Sequence, residues 1–93
     1  MKCNSILYSD HSVSQMFKRD ISIDEVEYIL ASGEIIKAYK DDKPFPSYFM
    51  LGIINDKSIH LVVAMDPLTQ RCVIITTYIP NLSIWQKDFK TKK

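Results

Sequence analysis

Two histidines, an arginine and a tyrosine in this sequence are suited to acid–base chemistry at a phosphate. They are His11, Arg19, His60 and Tyr78. Histidine takes up or releases a proton near neutral pH, and tyrosine does so less readily. The forked guanidinium of arginine suits the negative charge that develops on phosphorus in a transition state. These residue types suffice for metal-free cleavage of RNA, in which a base takes the 2′-hydroxyl proton and an acid protonates the leaving 5′-oxygen.

Each of these side chains also has a structural interpretation. A histidine on a sheet face, such as His60, is more often a hydrogen-bonded structural residue. His11 at a helix start could simply be exposed, and Arg19 could offset the dipole at a helix end. Tyr78 could merely pack at a strand end. Residue type alone therefore leaves both interpretations open.

Further residues could hold an RNA strand, because aromatic rings stack on unpaired bases and lysines pair with phosphates. The candidates are Tyr48, Thr76, Lys87 and Lys90. The net charge is only +1, so RNA binding needs a local basic patch, and the lysine-rich C-terminus offers one. The alternative is a solubilising tail.

Several functional classes find no support in the sequence. Histidines, cysteines and acidic residues lack the spacing of metal ligands, and no cofactor-binding motif occurs, so we predict neither a metal nor a cofactor. The two cysteines do not make a disulfide scaffold, and Cys72 is expected to be a small core or edge residue. No export signal or membrane-length apolar run occurs, so we expect a cytoplasmic protein.

Two helices are predicted before any strand. The first covers about residues 11 to 19, is capped by Ser9 or Asp10, and directs Val13, Met16 and Phe17 to the core. The second begins after Ser22, with Glu25 completing a capping box, and ends at Gly33. A polar side made of His11, Gln15 and Arg19 remains on the first helix.

The remainder predicts four strands, at residues 34–39, 47–54, 57–65 and 71–79, joined by short turns. Short turns imply antiparallel neighbours, so we expect an α+β domain with two N-terminal helices on a four-stranded antiparallel sheet and a short C-terminal tail. Strand alternation places Ile59, Leu61, Val63, Met65, Val73, Ile75 and Ile79 against the helices. His60, Thr76 and Tyr78, with Tyr48 and Met50, are then expected on the other face.

Separated motifs across nearly the whole chain resemble a bacterial family called domain of unknown function 4258. The motifs are His11 followed by Met16 and Arg19, "ISIDEVEYIL", Gly33-Glu34, "DDKPFPSYFMLG" (41–52), "IHLVVAMD" (59–66) and "IITTYIPNLSIWQKDF" (74–89). That family is similar to small toxins of the RelE and BrnT type. The resemblance implies a RelE-like fold, a metal-free endoribonuclease acting on messenger RNA, and a YgiT-type zinc-finger antitoxin as partner.

The motif positions that match the family are His11, Arg19, Gly33, Pro44, Gly52, His60, Thr76 or Thr77, Tyr78, Pro80 and Trp85. The resemblance implies catalytic roles for His11, Arg19, His60 and Tyr78. Two positions depart from the family pattern: Gln15 stands where members commonly have arginine, and Asp20 stands where they have glycine. The first removes a cation, and the second puts a carboxylate beside Arg19.

Two other functions remain open. The same fold could dock a partner protein or bind RNA without cutting it. It could also be a structural homodimer that buries a strand edge or the aromatic tail around Trp85. A shared catalytic site requires the first helix to lie near the sheet's edge, because helices on one face would otherwise separate His11 and Arg19 from His60 and Tyr78.

Overall fold

A computed structural model describes residues 1–93 as two helices on a five-stranded sheet. In chain order the elements are β1 (Ser5–Tyr8), α1 (Asp10–Arg19), α2 (Ile23–Ser32), β2 (Glu34–Tyr39), β3 (Ser47–Ile54), β4 (Lys57–Met65) and β5 (Arg71–Tyr78). The strand order is β1-β5-β4-β3-β2. Strands β2 to β5 form the antiparallel meander that short turns predict. The fold is α+β, but the sheet is mixed.

The expectation of a four-stranded antiparallel sheet is wrong, because residues before the first helix add a fifth strand. β1 pairs in parallel with β5, from Ser5 opposite Arg71 to Tyr8 opposite Ile74. Ile6 and Tyr8 pack against the core from this strand. Four residues are too few for a period-two pattern to stand out, so the sequence gives little sign of this strand.

Both helices begin at the caps that the sequence indicates. The Ser9 side chain accepts from the backbone N–H of Ser12 at 3.1 Å, and Ser22 and Glu25 form a reciprocal capping box. The predicted core stripe of α1 is wrong for two of its three residues, since Met16 is buried but Val13 and Phe17 are 52% and 91% exposed. α1 lies along β5 rather than across the sheet, so only one narrow side of it is covered.

The core lies between the helices and one face of the sheet, here called the helix-side face. It contains Met16, Ile21, Val26, Ile29, Leu30, Met50, Ile59, Leu61, Val63, Cys72 and Ile74. α2 approaches β3 at Gly52, where a methyl group would collide with the side chain of Ile29. The absence of a side chain at Gly52 therefore sets how closely α2 packs on the sheet.

An irregularity between β4 and β5 changes which residues of β5 face the core. Val62 pairs with Thr76, but Val63 pairs with Ile74, so Ile75 is an extra residue. Such a bulge reverses which residues of the strand face the core on one side of the extra residue. Cys72 and Ile74 therefore face the core, and the predicted inward placement of Val73 and Ile75 is wrong.

Beyond the bulge, the predicted outward placement of Thr76 and Tyr78 is confirmed. Thr76 and Tyr78 lie opposite Val62 and His60, respectively. We call this side of the sheet the tail-side face, because the C-terminal tail (residues 81–93) packs on it through contacts of Trp85 and Phe89 with His60. One turn of the tail forms around Trp85, whose backbone N–H donates to the Asn81 carbonyl.

The two cysteines are joined by a disulfide that the sequence did not predict, and Cys72 lies in the core as expected. Cys3 lies just before β1 and Cys72 lies in β5, with their Cα atoms 5.7 Å apart. The parallel pairing of β1 with β5, which the sequence did not indicate, is what brings them together. Neither helix has the length and apolar character needed to cross a membrane.

Candidate functional site

His60 is fully buried in the middle of the tail-side face. Its Nε2 lies 2.7 Å from the carbonyl oxygen of Phe89, and its Nδ1 lies 3.2 Å from the hydroxyl of Tyr78. A carbonyl oxygen only accepts, so Nε2 carries the proton and Nδ1 accepts from the tyrosine in the neutral ring. Both ring nitrogens are therefore engaged within the protein.

Aromatic rings surround the imidazole of His60. The rings of Phe49, Trp85 and Tyr78 meet it edge to face, with centroids 4.7, 4.5 and 5.2 Å away. Burial disfavours the charged imidazolium and lowers the pKa of His60 below its ordinary value, against the opposing effect of the bond to Phe89. His60 is thus a neutral residue that holds Tyr78 and the tail, with no nitrogen directed at a substrate.

Tyr78 is half-buried and keeps its phenolic proton. Burial is the main cause that raises the pKa of Tyr78 above its ordinary value, and the neighbouring Tyr39 adds to the effect. The hydroxyl donates to His60 Nδ1 while one edge of the residue lines an open groove. Tyr78 is therefore a protonated group that a ligand in this groove can reach.

His11 reaches the tail-side face from the edge of the sheet. Its Nε2 lies 3.1 Å from the hydroxyl of Thr76, and the rest of the side chain is exposed. α1 begins next to the edge of β5, where the Ser9 N–H and hydroxyl bond to the carbonyls of Ile74 and Ile75. The N-terminal end of α1 therefore reaches the tail-side face, which also carries Tyr78. His11 and Tyr78 thus lie on the same side of the sheet.

Thr76 and Tyr78 are two residues apart on one strand, which places their Cα atoms about 7 Å from each other. The structure therefore brings three of the candidates, His11, Thr76 and Tyr78, to one strip of surface beside β5. His60 lies directly beneath this strip and supports it through Tyr78.

Arg19 lies at the opposite end of α1 from His11. The two residues are eight positions apart, so they are separated by about 12 Å along the helix axis. Arg19 is exposed and forms no ion pair with Asp20, whose own carbonyl accepts from the Lys57 ammonium. The Arg19 guanidinium therefore has no partner within the protein.

The open groove next to Tyr78 has a volume of about 580 Å³. Its lining residues are Ile36, Lys37, Tyr39, Phe49, Val62, Tyr78, Trp85, Lys90 and Lys92. We call it the lysine–aromatic groove. It runs across β2, β3, β4 and β5 and is closed on one side by the tail. No acidic side chain lines it.

The other predicted RNA contacts are distributed around the molecule. Lys90 lines the lysine–aromatic groove, whereas Lys87 lines a separate depression next to Gly33 and Asp88. Tyr48 pairs with Val63 and packs against the core, so its predicted place on the same face as His60 is wrong. Met50 is likewise in the core. Phe49, which lies between Tyr48 and Met50, is the β3 residue that contacts His60 on the tail-side face.

Known protein families were compared with the chain. A family model described as Domain of unknown function (DUF4258) matches residues 8–79, which is well over half of the chain. The protein belongs to the DUF4258 family. No curated protein and no solved structure matched it.

Membership of DUF4258 confirms the family that the sequence motifs indicate. The matched segment contains His11, Arg19, His60, Thr76 and Tyr78, and it excludes Cys3 and the tail. Kinship with RelE and BrnT toxins, RNA cleavage and the antitoxin partner stay predictions.

This DUF4258 protein holds no cluster of three or more histidine, cysteine or acidic side chains placed to bind a metal ion. Sequence reasoning assigned no binding role to three groove residues, namely Lys37, Phe49 and Trp85, whereas Lys92 belongs to the basic C-terminus that it considered. Lys37 and Tyr39 are two positions apart on β2 and face the same side, and Phe49 pairs with Lys37. Strand alternation and pairing could therefore have identified Lys37 and Phe49. The position of the tail carries no such signal, because it depends on the bond between His60 and Phe89.

Proposed function

We propose that this protein is a metal-free, toxin-like endoribonuclease of a type II toxin–antitoxin pair. The observation that carries the proposal is the hydrogen bond between His11 and Thr76, which holds an exposed imidazole on the same surface strip as Tyr78. An acid and a base must both reach one bound substrate, and this strip is where the chain presents both.

In the proposed reaction, His11 is the base. The proposal uses the tautomer in which the His11 Nε2–H donates to the Thr76 hydroxyl, so that Nδ1 is unprotonated and takes the proton of a ribose 2′-hydroxyl. The 2′-oxygen then bonds to the adjacent phosphorus, and the bond from phosphorus to the 5′-oxygen breaks. The products are a 2′,3′-cyclic phosphate and a free 5′-hydroxyl, so the step needs no water and no metal.

Tyr78 is the acid of the proposed reaction. The leaving 5′-oxygen is a stronger base than a phenolate, so a tyrosine that keeps its proton can transfer it when the P–O bond breaks. The phenolic O–H turns from His60 Nδ1 to the leaving oxygen in this step. Arg19 folds onto the phosphate and offsets its added charge. His60 acts as a positioning residue for Tyr78.

Cleavage of a labelled single-stranded RNA in the presence of EDTA tests the proposal. We expect fragments ending in a cyclic phosphate, and we expect His11→Ala to slow cleavage about 100-fold or more. Gln15→Ala, one turn along the same helix, is the matched control and should cleave at the parent rate. Equal cleavage by the parent and by His11→Ala would exclude His11 as the base.

Thr76 provides a second test, because its proposed role is only to orient His11. Thr76→Ser keeps the hydroxyl and should retain most of the activity. Thr76→Val removes the hydroxyl at nearly the same volume and should lower kcat with little change in KM. An increase in KM with unchanged kcat would show that Thr76 binds RNA instead.

The partner belongs to the same proposal. Induced expression of the chain alone should arrest growth and degrade messenger RNA, and co-expression of a YgiT-type zinc-finger protein should reverse both effects. The His11→Ala chain, expressed at the same level, is the control and should leave growth intact. Growth unaffected by the parent chain would contradict a toxin.

A specific observation also favours the non-catalytic alternative. Both nitrogens of His60 are bonded inside the protein, so His11 is the only imidazole that a substrate can reach. A binding module of the same fold would hold RNA or a partner protein without cutting it. Tight RNA binding with no cleavage over many hours would select this alternative. A dimer formed through Trp85 finds no support, because that ring is already buried against His60.

A further inference from the structure

We propose that the lysine–aromatic groove binds a short single-stranded RNA segment, with one base stacked on Tyr39 and the neighbouring phosphates on Lys37, Lys90 and Lys92. The inference rests on the proposed function, since it names where the substrate lies when Tyr78 meets the scissile phosphate. Tyr78 lines the groove and so connects it to the reacting strip.

Charge is the first argument for an anionic ligand. Three lysines and no carboxylate line the groove. Lys90 is paired with Glu34 at 2.9 Å, so the unpaired positive charge of the groove comes from Lys37 and Lys92. A concave, partly apolar surface of one sign concentrates ions of the other sign. The groove is therefore suited to a chain of phosphates.

The aromatic side chains are the second argument, because they exclude ligands that carry charge alone. Phe49 and Trp85 pack against each other, with ring centroids 5.6 Å apart, and form an apolar wall with Tyr78. Simple phosphates or acidic peptides would leave this wall unused. A nucleotide offers both an anion and a flat apolar ring, which is the combination that the groove presents.

Tyr39 is the residue placed to stack on a base. It is 42% exposed on the edge strand β2, whereas Trp85 is only 6% exposed and already covered. The Lys37 ammonium lies 5.3 Å from the centre of the Tyr39 ring, and the Lys92 ammonium lies 5.6 Å from that of Trp85. Each lysine thus lies over one face of an aromatic ring, so a base stacks on the opposite face of Tyr39 and its phosphate lies next to Lys37.

The same geometry favours a single strand over a duplex. Bases in a duplex are stacked on one another and paired, so they have no free face for Tyr39. An RNA duplex would contact the lysines without using the aromatic rings. We therefore expect single-stranded RNA to bind more tightly than a duplex of the same length.

The experiment uses an oligouridylate in which every 2′-hydroxyl is methylated, so that it binds without being cut. Trp85 is the only tryptophan of the chain and lies in the groove wall, so its fluorescence reports occupancy. We expect a saturable change in fluorescence with the full-length parent protein. Tyr39→Leu should weaken binding about tenfold through loss of base stacking. Lys37→Gln should lower the slope of log Kd against log salt by about 0.7.

Matched controls lie elsewhere on the surface. Tyr28→Leu removes a similarly exposed tyrosine from α2, and Lys2→Gln removes a lysine near the N-terminus. Both should bind as the parent does. Equal losses in Tyr28→Leu and Tyr39→Leu would overturn the assignment of the stacking site. So would binding of hexaglutamate or duplex RNA as tightly as the single strand.

The two proposals fail in different ways. Binding that depends on Tyr39 and Lys37 without any cleavage of unmodified RNA supports the groove and contradicts the nuclease. If cleavage depends on His11 and Tyr39→Leu leaves its KM unchanged, the nuclease is supported and the assignment of RNA binding to the groove is overturned.

Discussion

The imidazole of His60 donates from Nε2 to the backbone carbonyl of Phe89, 2.7 Å away, and thereby joins β4 to the C-terminal tail. The same ring accepts at Nδ1 from Tyr78. One buried residue therefore fixes both the tail that closes the lysine–aromatic groove and the phenol that we propose as the acid.

The depressed pKa of His60 predicts a loss of stability in mild acid. Burial favours the neutral ring in the folded chain, so the unfolded chain binds this proton more tightly than the folded chain does. The free energy of unfolding should therefore fall as the pH drops below about 6.5, the ordinary histidine value. Urea titrations from pH 8 to pH 5 measure the effect.

Two variants separate His60 from other causes of that pH dependence. His60→Gln cannot charge, so it should be less stable at pH 8 but lose less further stability on acidification. His11→Gln removes the exposed histidine and should follow the parent curve. A parent curve that parallels that of His60→Gln would rule out His60 as the source.

The link between Cys3 and Cys72 predicts that reduction destabilises the fold. The two cysteines are 69 positions apart, so the closed loop contains most of the chain. Loss of such a cross-link typically costs about 2–5 kcal/mol. Denaturant titrations of the parent with and without a dithiol reductant measure this cost, and Cys3→Ser should be insensitive to the reductant.

Gly52→Ala should destabilise the protein by about 1–3 kcal/mol, the usual cost of overpacking a core. The added methyl group would collide with the Ile29 side chain and push α2 away from β3. Thermal or urea unfolding measures the change. Combining Gly52→Ala with Ile29→Ala should cost less than the two single changes added together, because the truncated side chain makes room. Simple additivity would argue against this collision.

Asp20→Gly should be more stable than Asp20→Ala by about 1 kcal/mol. Asp20 ends α1 with φ 55° and ψ 47°, a left-handed conformation that glycine adopts without steric cost. The comparison isolates the backbone because Lys57 bonds to the Asp20 carbonyl, which both variants keep. Equal stability of the two variants would contradict the left-handed cap.

Local chemistry explains which elements the sequence could predict. β2, β3 and β4 have the predicted bounds, and the capping box at Ser22 and Glu25 forms as expected. These features depend on neighbouring residues, such as the hairpin turn at Asn55 and Asp56, both of which have positive φ.

The errors concern features that depend on distant residues. β1 exists because β5 offers an edge, and the bulge at Ile75 arises from pairing with β4. The candidate site likewise combines features that depend on neighbouring residues with features that depend on distant ones. Alternation placed His60 and Tyr78 on one face, but only the tertiary structure shows that His60 is enclosed and that His11 reaches Thr76.

The tail places part of the proposed RNA-binding groove outside the family segment. The residues proposed for chemistry lie within the family segment, residues 8–79, whereas Trp85, Lys90 and Lys92 of the groove lie beyond it. Phe89 attaches the tail through its backbone carbonyl, which any amino acid supplies. The lysines of the tail can therefore be exchanged for other side chains without changing the residues beside β5 that we propose for chemistry.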